Sequence, residues 1–129
     1  LIVCGSNPDY IHKHPRIFYV GNLSISELMS VYKISKYFIH LAYLDHCPNV
    51  VVDARACGAR IICASSGGTK EIAGKDALVI KEGEEWDYSF IKESSPPDLK
   101  FDNITSNQFD SKLSMASVAR QYLDFLKEK

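Results

Sequence analysis

Two aspartates eight residues apart, Asp45 and Asp53, bracket the run His46-Cys47-Pro48-Asn49-Val50 in "YLDHCPNVVVDARACGARIICASSGG", residues 43–68. An ionised carboxylate only accepts hydrogen bonds, so it suits the hydroxyls of a sugar or ribose. Pro48 is placed to open a helix and Gly58 to follow its end, which makes Asn49 to Cys57 a short helix with free N–H groups in its first turn. Those N–H groups and the positive end of the helix dipole suit a diphosphate. At about 100° per residue, Asp53 projects between Asn49, Ala56 and Cys57, while Arg55 lies roughly opposite and is a poor partner. The helix is otherwise apolar nearly all round, so Asp53 must emerge on a wet edge or wait for a hydrogen-bonding ligand. Downstream, Gly67 and Gly68 in "ASSGGTKE" permit a tight turn or the close approach of a ligand, and Thr69 can cap the next helix.

The elements that must position these groups are short apolar runs: Ile2 to Cys4, Arg16 to Val20, Tyr37 to Leu41, Arg60 to Ala64 and Ala77 to Ile80. Such runs, β-branched and without alternation, fit a parallel sheet covered on both faces. The spacing therefore predicts an α/β fold, a Rossmann-like parallel sheet with helices on both faces. Ser24 three residues before Glu27 has capping-box spacing, and Ile25, Leu28, Met29 and Tyr32 follow at helical intervals. Asp45 then falls in the loop leaving the third run, at the carboxyl edge where open parallel sheets bind ligands. The Pro, Ser, Asp and Asn of residues 81–110 predict an irregular excursion. Residues 111–128 carry Leu113, Ala116, Ala119, Leu123 and Leu126 at three- and four-residue steps, which predicts an amphipathic helix.

The balance of 15 basic against 16 acidic residues favours neither nucleic acid nor a membrane surface as partner. No apolar run approaches the ~18 residues of a membrane-spanning helix, and "LIVCGSNPDY" lacks the basic flank of a signal peptide, so a cytoplasmic location is expected. Cys4, Cys47, Cys57 and Cys63 have no C-x-x-C spacing and read as reduced core thiols. His12 and His14 with Asp9 form a possible metal cluster, though solvated loop residues fit better, and no metal or cofactor is expected. Residues 1–129 are read as one domain. "LIVCGS" begins with a strand that has no earlier element to pair with, so the chain is expected to be a fragment.

These residues resemble the retaining glycosyltransferases of the GT-B fold, group 1 (family 4). Their C-terminal domain carries a glutamate, seven residues and a second glutamate, then an Ala-x-Ala-x-Gly helix end, an apolar strand and a Gly-Gly-x-x-Glu loop. Here that pattern reads Asp45, seven residues, Asp53-Ala54-Arg55-Ala56-Cys57-Gly58, then "ARIICASSGGTKEI". The resemblance extends more weakly to "LIVCGS" and "IFYVGNLSISELMSVYKISKYFI", covering roughly residues 1 to 80.

The resemblance implies that the chain binds a nucleotide-diphosphate sugar such as a UDP- or GDP-hexose and transfers the hexose with retention and without metal. Asp45 and Asp53 would be the catalytic pair, Asp45 binding donor-sugar hydroxyls and Asp53 the ribose hydroxyls. The backbone of His46, Cys47, Pro48, Asn49 and Val50 would hold the diphosphate and sugar, Gly21, Asn22 and Leu23 would border the base, and Gly67 and Gly68 would complete the donor site. It further implies a separate N-terminal Rossmann-like acceptor domain, possible membrane association through that domain, and an upstream arginine and lysine on the diphosphate. The isolated chain would then not turn over. Both glutamates are aspartates here, which moves each carboxylate by about 1.5 Å. His46 also replaces a small residue. The alternative is a degenerate, non-catalytic sugar-nucleotide binding or interaction module. A receiver-type signalling domain ranks below both, because "LIVCGS" carries no acid.

Overall fold

In a computed structural model the described residues are 1–6, 11–82, 98–111 and 114–127. The acidic run beyond Glu82 and Asp9 lie outside them. Two hydrogen-bonded sheets form. β1 (Ile2–Cys4) and β2 (Phe18–Gly21) pair in parallel. β3 (Tyr37–His40), β4 (Arg60–Ala64), β5 (Leu78–Glu82) and β6 (Leu99–Ser106) make the second sheet in that order, with β6 alone antiparallel. The predicted α/β, Rossmann-like class holds: all five apolar runs become parallel strands, and a helix follows the second, third and fourth of them.

α1 (Ile25–Ile34) starts where the capping box places it. The Ser24 hydroxyl accepts from the Glu27 N–H, and Glu27 Oε2 accepts from the Ser24 N–H at 2.8 Å. Hydrogen bonds from the Ser24 hydroxyl and then its N–H hold the Glu27 carboxyl below its ordinary range. That contribution to stability is present at neutral pH and is lost as pH falls through the lowered value.

α2 (Asn49–Ala56) begins one residue after Pro48, which sits at the N-cap rather than inside the first turn. It closes in a Schellman motif: the Ala59 N–H donates to the Ala54 carbonyl and the Gly58 N–H to that of Arg55, each at 3.0 Å. Gly58 takes φ +93° there, which a Cβ would oppose. The turn swings Ala59 into the core and starts β4 beside β3.

The core holds Tyr32, Val51, Ala54, Ala59, Ile61, Cys63, Ala73, Ala77 and Val79, so α1 and α2 cover the face of β3, β4 and β5 that carries Phe38, Ile61, Cys63 and Val79. On the other face Tyr37 and Ile39 stay 38% and 46% exposed.

α3 (Thr69–Ile72) is tied to α2 by Arg55. The guanidinium donates to the Ile72 carbonyl at 3.0 Å, to the Ser111 hydroxyl at 2.8 Å and to the Ser111 carbonyl. Arg55 therefore turns away from Asp53, as the helical wheel requires. Arg55→Met, which keeps the aliphatic stem, is expected to cost about 2 kcal/mol, because hydrogen bonds from a charged donor are the strong class; a thermal melt checks it.

Over residues 81–110 an irregular excursion is not what forms throughout: β6 occupies Leu99–Ser106. Its polar Asp102 and Asn103 depress strand propensity, but the open edge of β5 accepts the strand's backbone and decides the outcome. Asn107, 7% exposed, locks the end of β6 by donating to the Lys70 and Gly74 carbonyls at 2.7 and 2.8 Å. α4 (Met115–Lys127) starts four residues later than the predicted 111. The Ser114 hydroxyl accepts from the Ser117 N–H at its start.

All four cysteines are free thiols, but only Cys63 is fully a core residue. Burial pushes its thiol up to about 11. Cys4 and Cys47 are exposed, a correction to the core reading: Cys47 lies in the loop before α2, and Cys4 ends β1, whose burial is slight.

Candidate donor site at the carboxyl edge of the sheet

His40 ends β3, and the chain then crosses the carboxyl edge of the sheet to reach α2. Leu44 turns it with φ +59°, left-handed backbone that a bulky residue adopts only under constraint. The constraint comes from the loop after β4, where the Ser66 hydroxyl accepts from the Leu44 N–H at 3.4 Å. Ser66 in turn donates to Glu82 Oε1 at 2.7 Å, the Glu82 N–H donates to the Ser65 hydroxyl at 3.1 Å, and Lys70 Nζ donates to the Ser65 carbonyl at 2.8 Å. The segments leaving β3, β4 and β5 are thus cross-bonded.

Asp45 is held twice. Its carbonyl accepts from the Gly68 N–H at 3.0 Å and from the Thr69 hydroxyl at 3.5 Å. Its carboxylate Oδ2 meets His40 Nε2 at 3.1 Å. Gly67 and Gly68 lie so close to the Asp45 and His46 backbone that a Cβ on either would collide with a carbonyl oxygen. The close approach foreseen for these glycines is made to the neighbouring loop.

The α2 N-terminus is uncapped. Pro48 offers no side-chain cap and the first turn holds no acid. Val51 and Val52 N–H groups reach the Pro48 carbonyl, whereas among the described residues those of Asn49 and Val50, both exposed, have no acceptor. Around this terminus His46 and Cys47 are also exposed.

Asp53 is half-buried one turn further on, and among the described residues its carboxylate makes no hydrogen bond or ion pair. Burial, and next the Asp53 charge, push the Tyr32 hydroxyl above its ordinary value. Tyr32 and Val50, three residues before Asp53, both line a cavity of about 800 Å³ between β1 and β3, together with Gly5, Asn22, Leu23 and Phe38. Gly21 stays at the end of β2, where its carbonyl accepts from the Gly5 N–H.

The sequence-selected residues thus fall in two groups. Asp45, His46, Gly67 and Gly68 interlock, and Asn22, Leu23 and Val50 share the cavity, which Asp53 does not line. His40, Ser66 and Glu82 were not singled out from sequence. A polar residue two places after Phe38, on the inward side of an apolar strand, was the available signal for His40. His14 Nδ1 accepts from the Arg16 N–H at 3.1 Å, and among the described residues no three His, Cys, Asp or Glu side chains gather as a metal site.

The Rossmann-like α/β domain thus presents a bare helix N-terminus, an acceptor-only Asp53 and a second carboxylate around α2 and the loop before it. Over residues 9–89, more than half its length, the chain matches glycosyl transferases group 1, and it belongs to that family. No curated protein and no solved structure matches the chain. Among the described residues no helix is long and apolar enough to cross a membrane.

Proposed function

We propose that this domain binds the nucleotide-diphosphate sugar donor of a retaining, family 4 hexosyltransferase, with UDP- or GDP-hexose as the donor class. The observation that carries the reading is the uncapped α2 N-terminus flanked by Asp45 and Asp53. The diphosphate would sit on the Asn49 and Val50 N–H groups, where the helix dipole favours negative charge. Asp53 would accept from the ribose hydroxyls, and Asn22 and Leu23 would border the base at the cavity mouth. Asp45 would accept from hydroxyls of the sugar.

In transfer, the bond between the anomeric carbon and the phosphate oxygen breaks, one to the acceptor oxygen forms, and the acceptor's hydroxyl proton passes to the departing diphosphate. Charge develops on the departing diphosphate, and fixed N–H donors already aimed at it require no reorganisation. The helix terminus supplies that positive potential, so the reading needs no metal. The acceptor would be bound by a further, N-terminal Rossmann-like domain, and the reaction is assigned to the cytoplasm.

A non-catalytic sugar-nucleotide module is the second reading, favoured by the two aspartates that stand where the family pattern has glutamates. Displacement of about 1 Å can reduce rate about 10²-fold while leaving binding intact. Calorimetric titration with UDP-glucose, GDP-mannose, UDP and GDP tests the shared part of both readings. One nucleotide is expected to bind, and Asp53→Asn to weaken it about tenfold, the scale of a hydrogen bond to a charged group. Equal binding by the variant would remove the ribose from Asp53.

A further inference from the structure

We propose that His40 is a positioning residue that sets the orientation of the Asp45 carboxylate toward the donor sugar. The inference rests on the donor reading above. At neutral pH a carboxylate has no proton to give, so the 3.1 Å contact has the His40 Nε2–H donating to Asp45 Oδ2. The His40 side chain is only 15% exposed and that of Asp45 35%, so the bond is largely shielded while the carboxylate stays partly open to solvent.

The imidazole is itself fixed. Phe38, two residues earlier on the same face of β3, stacks on it with ring centres 6.3 Å apart and planes 17° from parallel. Phe38 packs edge-on against buried Tyr32 at 5.3 Å. The ladder Tyr32, Phe38, His40 joins the core to Asp45.

The backbone of Asp45 is anchored separately by Gly68 and Thr69. With its main chain pinned, the side chain keeps only its own torsions, and the His40 bond selects among them. Oδ2 is engaged and Oδ1, without a partner among the described residues, is presented to sugar hydroxyls. A short carboxylate in a site that must reach a sugar gains most from such support, because a misplaced acceptor loses the bond altogether.

The test measures affinity for UDP-glucose and GDP-mannose against free UDP and GDP in the wild-type chain, His40→Phe and His40→Gln. His40→Phe is expected to lower the ratio of sugar-nucleotide to free-nucleotide affinity about tenfold. His40→Gln, whose amide N–H reaches a similar position, is expected to restore most of it. A general structural role would weaken both ligands alike and leave the ratio unchanged, which overturns the proposal. A ligand-free measurement separates this from failure of the donor reading: ¹H–¹⁵N imidazole correlations should give the Nε2–H tautomer for His40, with a hydrogen-bonded Nε2–H shift that moves in Asp45→Ala. An Nδ1–H tautomer in the wild type overturns the pairing. The expected tautomer in a chain that binds no nucleotide leaves the pair intact but removes the donor, and with it the positioning role.

Discussion

Gly68→Val will separate the two loops that build the site and is expected to lower stability by about 1–3 kcal/mol, the range for overpacking a tight contact. Gly68 has φ −90°, so backbone preference is not the reason for glycine here. The reason is steric: a Cβ would strike the His46 carbonyl oxygen and sit 3.1 Å from its carbon. The neighbours cannot yield by rotating a side chain, because they are main chain. Relief requires the His46 peptide to move away, which breaks the 3.0 Å bond between the Gly68 N–H and the Asp45 carbonyl. Asp45 then loses its backbone anchor, so nucleotide-sugar affinity falls along with stability. For a chain this size each kcal/mol moves the thermal midpoint by roughly 3–5 °C, so melting reads the first effect and titration of the still-folded variant reads the second. A melt within about 1 °C of wild type would mean the loops do not touch as described.

Asn49→Asp should move stability and binding in opposite directions. An acid at the first position of α2 interacts favourably with the helix dipole and is expected to add about 0.5 kcal/mol to stability, since the wild-type first turn has no acid and no side-chain cap. The same charge faces the proposed diphosphate. At about 5 Å and an effective dielectric near 20, two unit charges repel by about 3 kcal/mol, so nucleoside diphosphate affinity should fall about 100-fold. Added salt should narrow the loss, and Asn49→Ser, a neutral replacement, should keep most of the affinity. A variant that is more stable and still binds with unchanged affinity would move the phosphates away from α2.

Much of the frame was legible because the signals were local. The capping box at Ser24 and Glu27 fixes where α1 begins, and Pro48 with Gly58 brackets α2 to within a residue. The five apolar runs could be read as strands because each is short, β-branched or aromatic and bounded by turn or cap residues, although only β4 and β5 carry fully buried residues. β6 was not legible: its burial is slight, its sequence contains turn-forming residues, and it exists because β5 offers an edge. The exposure of Cys4 and Cys47 likewise depends on what covers a strand and a loop, which composition does not encode.

The candidate site divides in the same way. The freedom of Asp53 from Arg55 follows from helical geometry alone. The contact of Gly67 and Gly68 with the Asp45 and His46 backbone does not, because it joins segments from different strands. His40 and Asp45 are only five residues apart, yet their pairing depends on a left-handed turn at Leu44, a residue type that gives no warning of it.

The most direct test of a donor diphosphate at the α2 N-terminus follows the backbone amide resonances of Asn49 and Val50 as UDP or GDP is added, with the phosphate-free nucleoside as control. Large shifts at these two amides with the diphosphate, absent with the nucleoside, are expected. Saturable binding that leaves them unmoved, with shifts gathered instead around His12, His14 and Tyr19, would contradict the assignment.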